Sequence, residues 1–264
     1  MRTSMHKIWL GVLALALMAG GPALAGRSVN ESIDAGKSPR ISIENLVGSI
    51  RVVGNSGSTV EISGTLGDDV EELRVDRSGG EIEISVELPD GDHERDLDAD
   101  ADLEILVPFD SELYIETVAA NIEVRDVRGS MSLESVAGTV EVEGAGDELE
   151  IETVAGTITV RASSLREASF ESVAGNIHVE GDLSDSGEFS FETVSGNITL
   201  VVPAGFSAEW DVETFSGPID SDMGPAAERT SKYAPGKELH FVSGSGGAEV
   251  SIESLSGSVE IRTN

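Results

Sequence analysis

The sequence has no cysteine, few aromatic residues and few positive charges. The missing cysteines exclude a thiol nucleophile, a disulfide framework and any cysteine-ligated zinc or iron–sulfur site. Aromatic residues make up 4% of the 264 residues, so the core must be built from valine, isoleucine, leucine and alanine. With 17 lysines and arginines against 49 acids, the net charge is −32. This charge argues against nucleic acid as a partner, because phosphate binding needs clustered basic residues.

Long hydrophobic runs are also missing, except for one near the N-terminus. Arg2 and Lys7 precede an apolar run over residues 8–19, and small residues follow up to Ala25. This order is typical of a secretory signal peptide and predicts cleavage after residues 1–25. The run is too short for a hydrocarbon core of ~30 Å. We therefore expect export to the periplasm or the extracellular space, with no integral membrane segment after cleavage.

The middle of the chain is repetitive. A unit that reads Glu-Thr/Ser-Val-Ala/Ser-Gly-Asn/Thr-Ile/Val recurs at intervals of 18 to 21 residues. Its copies begin at Glu116, Glu134, Glu152, Glu171, Glu192 and Glu213, with a late copy at Glu253 and a diverged one at Glu44. Apolar residues alternate before most of these glutamates and again after the glycine, which indicates two half-buried strands joined at a corner. The long step from Glu213 to Glu253 predicts two coils, the first of them degenerate.

These repeats predict an all-β fold, a single-chain β-solenoid of 18–21-residue coils. An antiparallel β-sandwich, whose strands would pair through the Ala-Gly turn, is the alternative. Identical residues at every copy favour the solenoid, because only there do they stack in columns. One column is predicted to stack in the interior: Val118, Val136, Val154, Val173 and Val194. A second column forms ladders of amides and hydroxyls: Asn121, Thr139, Thr157, Asn176 and Asn197.

We expect a single solenoid domain over residues 26–264. Its predicted parts are N-terminal coils over 26–110, regular repeats over 111–223, an irregular excursion over 221–239 and a C-terminal coil over 240–264.

The repeat unit resembles that of a bacterial β-strand-repeat family of unknown function that is labelled "putative adhesin". The resemblance includes residues 41–52, the strand and first repeat over 103–118, and the last repeat over 254–262, and it covers nearly all of 29–264. It implies a binding module of the cell envelope or cell surface, and it brings no catalytic residues with it.

Sites of chemistry are scarce, so we predict a non-enzymatic binding or scaffold module without a cofactor, acting on a protein or polysaccharide surface. Neither an H-E-x-x-H nor a G-x-S-x-G motif occurs. A carbohydrate-active enzyme on a β-helix is the alternative, because 49 acids create many carboxylate pairs at the separations used in glycoside hydrolysis. An envelope-stress signalling partner is a third interpretation.

The repeated glutamates are a candidate metal site. Each follows an inward apolar residue and is therefore predicted to point outward: Glu116, Glu134, Glu152, Glu171, Glu192 and Glu213. Stacked ~5 Å apart, their charges repel, and this repulsion raises carboxyl pKa values. Calcium bridging adjacent coils is one hypothesis, and salt screening without specific binding is the other.

Overall fold

The computed structural model describes residues 26–89, 98–231 and 235–264, and these ranges form strands without any helix. The prediction of an all-β fold is confirmed. None of the described residues belongs to a helix that could cross a membrane. The predicted signal peptide, residues 1–25, lies outside the described residues, and its cleavage stays a prediction.

Within the described ranges, nineteen strands follow one another along the chain: β1 (Arg27–Asp34), β2 (Arg40–Asn55), β3 (Thr59–Leu66), β4 (Glu72–Ser78), β5 (Glu81–Glu87), β6 (Asp100–Pro108), β7 (Glu112–Arg125), β8 (Met131–Ala137), β9 (Val140–Ala145), β10 (Glu148–Ala155), β11 (Ile158–Ala174), β12 (Ile177–Ser195), β13 (Ile198–Val202), β14 (Ala208–Ser216), β15 (Ile219–Ser221), β16 (Glu228–Arg229), β17 (Lys237–Val242), β18 (Ala248–Ser256) and β19 (Val259–Thr263).

Parallel pairing between equivalent strands stacks the repeats into a β-solenoid. Strand β8 lies between β7 and β10, in a register that aligns Glu134 with Glu116 and Glu152. The same register continues to Glu171 and Glu192 in the next two coils. The solenoid is therefore confirmed, and the sandwich of antiparallel hairpins is wrong for the repeats.

The chain turns a corner at the glycine of the repeat unit, and this corner divides each coil into two strand segments. Strand β8 ends before Gly138, and β9 begins two residues after it. A Cβ atom built on Gly156, in the next coil, would lie 1.9 Å from the carbonyl oxygen of Gly138. Glycine is therefore required because the stacked corners approach each other too closely for a side chain.

The two sets of segments form two faces of the solenoid. The ladder face, before the corner, consists of residues 40–46, 112–118, 131–137, 148–155, 167–174, 188–195, 208–216 and 248–256. The arginine face, after the corner, consists of residues 50–55, 122–125, 140–145, 158–162, 177–181, 198–202, 219–221 and 259–263.

Apolar side chains from both faces fill the interior of the solenoid. Ile151 of the ladder face and Ile158 of the arginine face are both fully buried. Aromatic residues concentrate toward the C-terminal coils, where the rings of Phe170 and Phe191 lie 5.1 Å apart. Trp210 is 2% exposed and therefore points into the interior. It therefore cannot serve as an exposed platform for a sugar ring.

The coils at both ends of the solenoid are stacked out of chain order. Strand β18 lies between β12 and β14, so Glu253 is aligned with Glu192 on one side and with Glu213 on the other. The prediction of two successive coils after Glu213 is wrong, because β17 runs antiparallel to β14 and covers the end of the stack. At the N-terminal end, β2 lies between β7 on one side and β5 and β6 on the other. Strand β3 pairs antiparallel with β6, and β4 pairs antiparallel with β5. Such strands cover the parallel edges, which would otherwise pair with other chains.

Candidate functional site

The parallel register aligns eight glutamates in one unbroken column, which we call the glutamate ladder. In spatial order they are Glu44, Glu116, Glu134, Glu152, Glu171, Glu192, Glu253 and Glu213. All eight are exposed, so the six glutamates singled out from the sequence lie outward as predicted. Neighbouring rungs are about 4.8 Å apart, the spacing of adjacent strands.

The valine column, in contrast, lies outside the core, so its predicted interior position is wrong. Each valine follows a ladder glutamate by two residues, and residues two apart on a strand share a face. Val154, for example, is 49% exposed. Together with equivalent residues of the other coils, these valines form an exposed apolar stripe: Leu46, Val118, Val136, Val154, Val173, Val194, Leu255 and Phe215.

Between the ladder and the stripe, every coil has a small polar side chain that is buried: Asn45, Thr117, Ser135, Thr153, Ser172, Thr193, Ser254 and Thr214. Some of these residues pair from coil to coil, as where the Thr153 hydroxyl donates to Ser172 Oγ at 3.1 Å. The hydroxyls of Thr193 and Ser254 have no hydrogen-bond partner among the described residues. This part of the solenoid therefore keeps unused hydrogen-bonding capacity, which is costly in a buried position.

A groove of about 710 Å³ follows these three columns along the solenoid. The glutamate ladder forms one wall, the apolar stripe forms the other, and the residues between them line the floor. The groove extends from the coil of Glu116 to Phe215. Thr230 and Gly236, from the irregular excursion, line its C-terminal end.

The carboxylates of the ladder lack basic partners. None of the eight glutamates forms an ion pair with a described lysine, arginine or histidine, whereas most arginines of the arginine face pair with acids there. Arg125, for example, contacts Glu123 at 2.5 Å and Glu143 at 3.7 Å. The negative charge on the ladder wall is consequently uncompensated within the described part of the chain.

The pKa values of Glu134 and Glu171 are raised above the usual glutamate value. Loss of surrounding water is the largest cause for both carboxyls, and repulsion from neighbouring rungs adds to it. Glu152 repels both of them, since it lies between them in the ladder. The predicted direction of the shift is confirmed at these two rungs, but dehydration contributes more than the crowding of charges.

The predicted ladders of amides and hydroxyls are present beside the corner. The side-chain oxygen of Asn121 accepts hydrogen bonds from the backbone N–H and the hydroxyl of Thr139, both at 2.9 Å. Asn197 accepts equivalent bonds from Ser258, because the last coil lies next to it. These side chains join adjacent coils and therefore have a structural role.

A second group of possible metal ligands lies at the C-terminal end of the ladder. Ligand atoms of Asp211, Glu213 and His240 lie within 4.8 Å of one another, and all three residues are exposed. His240 is directly opposite Asp211 on the antiparallel strand β17, with 2.9 Å between Nδ1 and Oδ1. The sequence gives little signal for this group, because only the antiparallel pairing brings the histidine to the ladder.

Comparison with known proteins identifies a family and several similar folds. The model of the Toastrack DUF4097 family matches residues 32–262. A "putative adhesin" from Bacteroides fragilis is 12% identical with a TM-score of 0.47, and the match covers 89% of this chain and 97% of that one. A "putative cell adhesion protein" from Clostridium sporogenes is 9% identical with a TM-score of 0.39, over 90% of this chain and 100% of that one. No curated protein matches the chain.

Proposed function

The chain belongs to the Toastrack DUF4097 family, and we propose that it is an exported, non-enzymatic, adhesin-like module that binds a protein or polysaccharide partner through its groove. The observation that carries this proposal is the apolar stripe beside the glutamate ladder. Eight large apolar side chains, 39% to 62% exposed, lie in line on one face of the molecule. Contiguous exposed apolar surface of this kind is typical of an interaction site.

The chemistry of the groove favours binding over catalysis. Its acidic wall consists of glutamates at the same register position of successive coils, whereas glycoside hydrolysis needs two carboxyl groups whose environments separate their pKa values. The two resolved shifts, at Glu134 and Glu171, have the same direction and the same causes. A repeated surface of this type offers many equal contacts along its length, which suits attachment to an extended partner.

An adhesion assay tests this proposal. Beads coated with the protein purified after export would be applied to bacterial cells and to purified envelope polysaccharides, next to beads coated with the variant Val136→Thr/Val154→Thr/Val173→Thr. We expect the wild type to adhere and the variant to lose most of its adhesion. The control is Thr139→Ser/Thr157→Ser, a change of similar size beside the corner, which should adhere like the wild type.

Two results would contradict the proposal. Equal adhesion of the wild type and the valine variant would show that the stripe is not the binding surface. Release of soluble fragments from a polysaccharide by the wild type would indicate a carbohydrate-active enzyme instead.

A further inference from the structure

Building on the proposed function of the groove, we propose that its partner is an extended, cationic polypeptide segment in which basic and apolar residues alternate. The two walls of the groove differ in character, with carboxylates along one and apolar side chains along the other. An extended chain directs successive side chains to opposite sides. A segment lying along the groove would therefore place every basic residue against the ladder and every apolar residue against the stripe.

The dimensions of the groove favour an extended chain over a helix. Its walls are formed by residues two apart on each strand, and such residues are separated by about 7 Å. An α-helix with its side chains is about 10–12 Å wide, more than this spacing, whereas an extended chain directs alternate side chains to the two walls. Seven ladder glutamates line the groove. At about 4.8 Å per coil they span roughly 29 Å, the length of about nine residues of extended chain.

The distribution of charge selects a cationic partner. The ladder has no basic partner among the described residues, while the arginines of the arginine face are already paired with acids. A second copy of the chain would bring a net charge of −32 to the same surface and would be repelled. Lysine or arginine side chains would oppose the repulsion between neighbouring rungs, which contributes to the raised pKa values of Glu134 and Glu171.

The floor of the groove contains two buried hydroxyls without a partner in the described part of the chain, and they take no part in binding. Thr193 and Ser254 are each 5% exposed, line the groove, and have hydroxyls without a partner among the described residues. They lie in adjacent coils, aligned with each other. Each follows an outward glutamate by one residue, so its side chain points into the solenoid and its hydroxyl is closed to a bound segment.

Two peptides of the same composition test the proposal. The first alternates, Lys-Val-Lys-Val-Lys-Val-Lys-Val-Lys, and the second has its five lysines before its four valines. Binding of each peptide to the protein purified after export would be measured by calorimetry in 150 mM salt. We expect the alternating peptide to bind at least about tenfold more tightly than the block peptide, because only it matches both walls at once.

Variants separate the contributions of the two walls. Val154→Thr/Val173→Thr should weaken the alternating peptide about tenfold and leave the block peptide nearly unchanged. Glu152→Gln/Glu171→Gln should weaken both peptides. The control Glu123→Gln/Glu141→Gln removes the same charge from the arginine face and should change neither affinity more than about twofold. Thermal unfolding of each variant would show that it is folded.

Several results would overturn this inference. Equal affinity for both peptides, or an effect of the arginine-face control as large as that of the ladder variant, would indicate charge attraction without use of the groove. Absence of binding by either peptide would reject a polypeptide of this pattern. In that case, loss of bead adhesion in the valine variant would still support the groove as the binding surface, so the two proposals fail separately. A dimer that the valine variant abolishes would identify a second copy as the occupant.

Discussion

The ladder face and the arginine face are built from the same repeats, yet they differ in whether their acidic side chains form ion pairs. On the arginine face, acids of adjacent coils share arginines, as where Arg125 contacts both Glu123 and Glu143. On the ladder face, eight glutamates are stacked without an ion pair to any base in the described ranges, beside an exposed apolar stripe. A stable solenoid needs no such arrangement, since the arginine face shows how the repeat can neutralise its own charges. The proposed binding of an external partner at the ladder face would account for this difference.

The largest expected effect concerns which side of the ladder strand is buried. Ile151→Asp would place a carboxylate where the isoleucine is fully buried, and we expect it to lower the free energy of unfolding by about 4 kcal/mol or more. Val154→Asp, three residues later on the exposed stripe, should cost less than about 1 kcal/mol. Urea unfolding of both variants checks this, and equal midpoints would contradict the inward and outward assignment.

Part of this contrast could be predicted from the sequence. Strand parity alone assigns Val154 to the side of Glu152, so the exposed stripe follows from the spacing, whereas hydropathy favours an interior valine and gives the wrong face. The outward direction of the glutamates follows from the same parity and is confirmed. The stacking order does not follow from the sequence, because the repeat unit reads alike in every copy, whereas in the structure the copy at Glu253 pairs with those at Glu192 and Glu213. The groove depends on both the exposed stripe and the stacking order, so only part of it could be predicted from the sequence.

The corner between the two faces provides the next test. Gly156→Ala would place a Cβ atom 1.9 Å from the carbonyl oxygen of Gly138, and separating the coils should cost about 1–3 kcal/mol. Gly205→Ala is the matched control, because nothing lies within 4 Å of a Cβ atom at that position. Thermal unfolding should show a lower Tm for the first variant and a nearly unchanged Tm for the second. Equal values would show that the corners do not stack closely.

Replacing glutamate by glutamine should have opposite effects on the free energy of unfolding on the two faces. Glu134→Gln/Glu171→Gln relieves repulsion within the ladder and should stabilise the protein at pH 7 by about 0.5 kcal/mol. Glu123→Gln on the arginine face removes the partner of two arginines and should lower the free energy of unfolding. Urea unfolding measures both changes. Destabilisation by the ladder variant would contradict the idea that its charges are uncompensated.

The pH dependence of stability sharpens this difference. Because the folded-state pKa values of Glu134 and Glu171 are raised, protonation of these two carboxyls favours the folded state. This stabilisation is fully present below the unfolded pKa of about 4.3 and is lost as pH rises through the raised folded values. Stability measured from pH 4 to pH 7 should therefore decline less in Glu134→Gln/Glu171→Gln than in the wild type. Parallel curves for the two proteins would show that these carboxyls do not contribute.

The smallest expected effect is that of calcium. If calcium bridges rungs of the ladder, millimolar calcium at pH 7.5 should raise the Tm by about 1 °C over sodium chloride of matched ionic strength, with EDTA as the reference. The increment should disappear in Glu134→Gln/Glu171→Gln. An unchanged Tm would leave screening by salt as the explanation and remove the proposed calcium site.

The central claim is that the apolar stripe is open to solvent and available to a partner, and thiol labelling tests it most directly. The natural chain has no cysteine, so Val154→Cys and Ile151→Cys each create a single reactive site. We predict rapid labelling of the folded Val154→Cys variant, because residue 154 is about half exposed, and slow labelling of Ile151→Cys, because residue 151 is fully buried. Labelling of Val154→Cys as slow as that of Ile151→Cys, in protein shown to be monomeric and folded, would contradict the account.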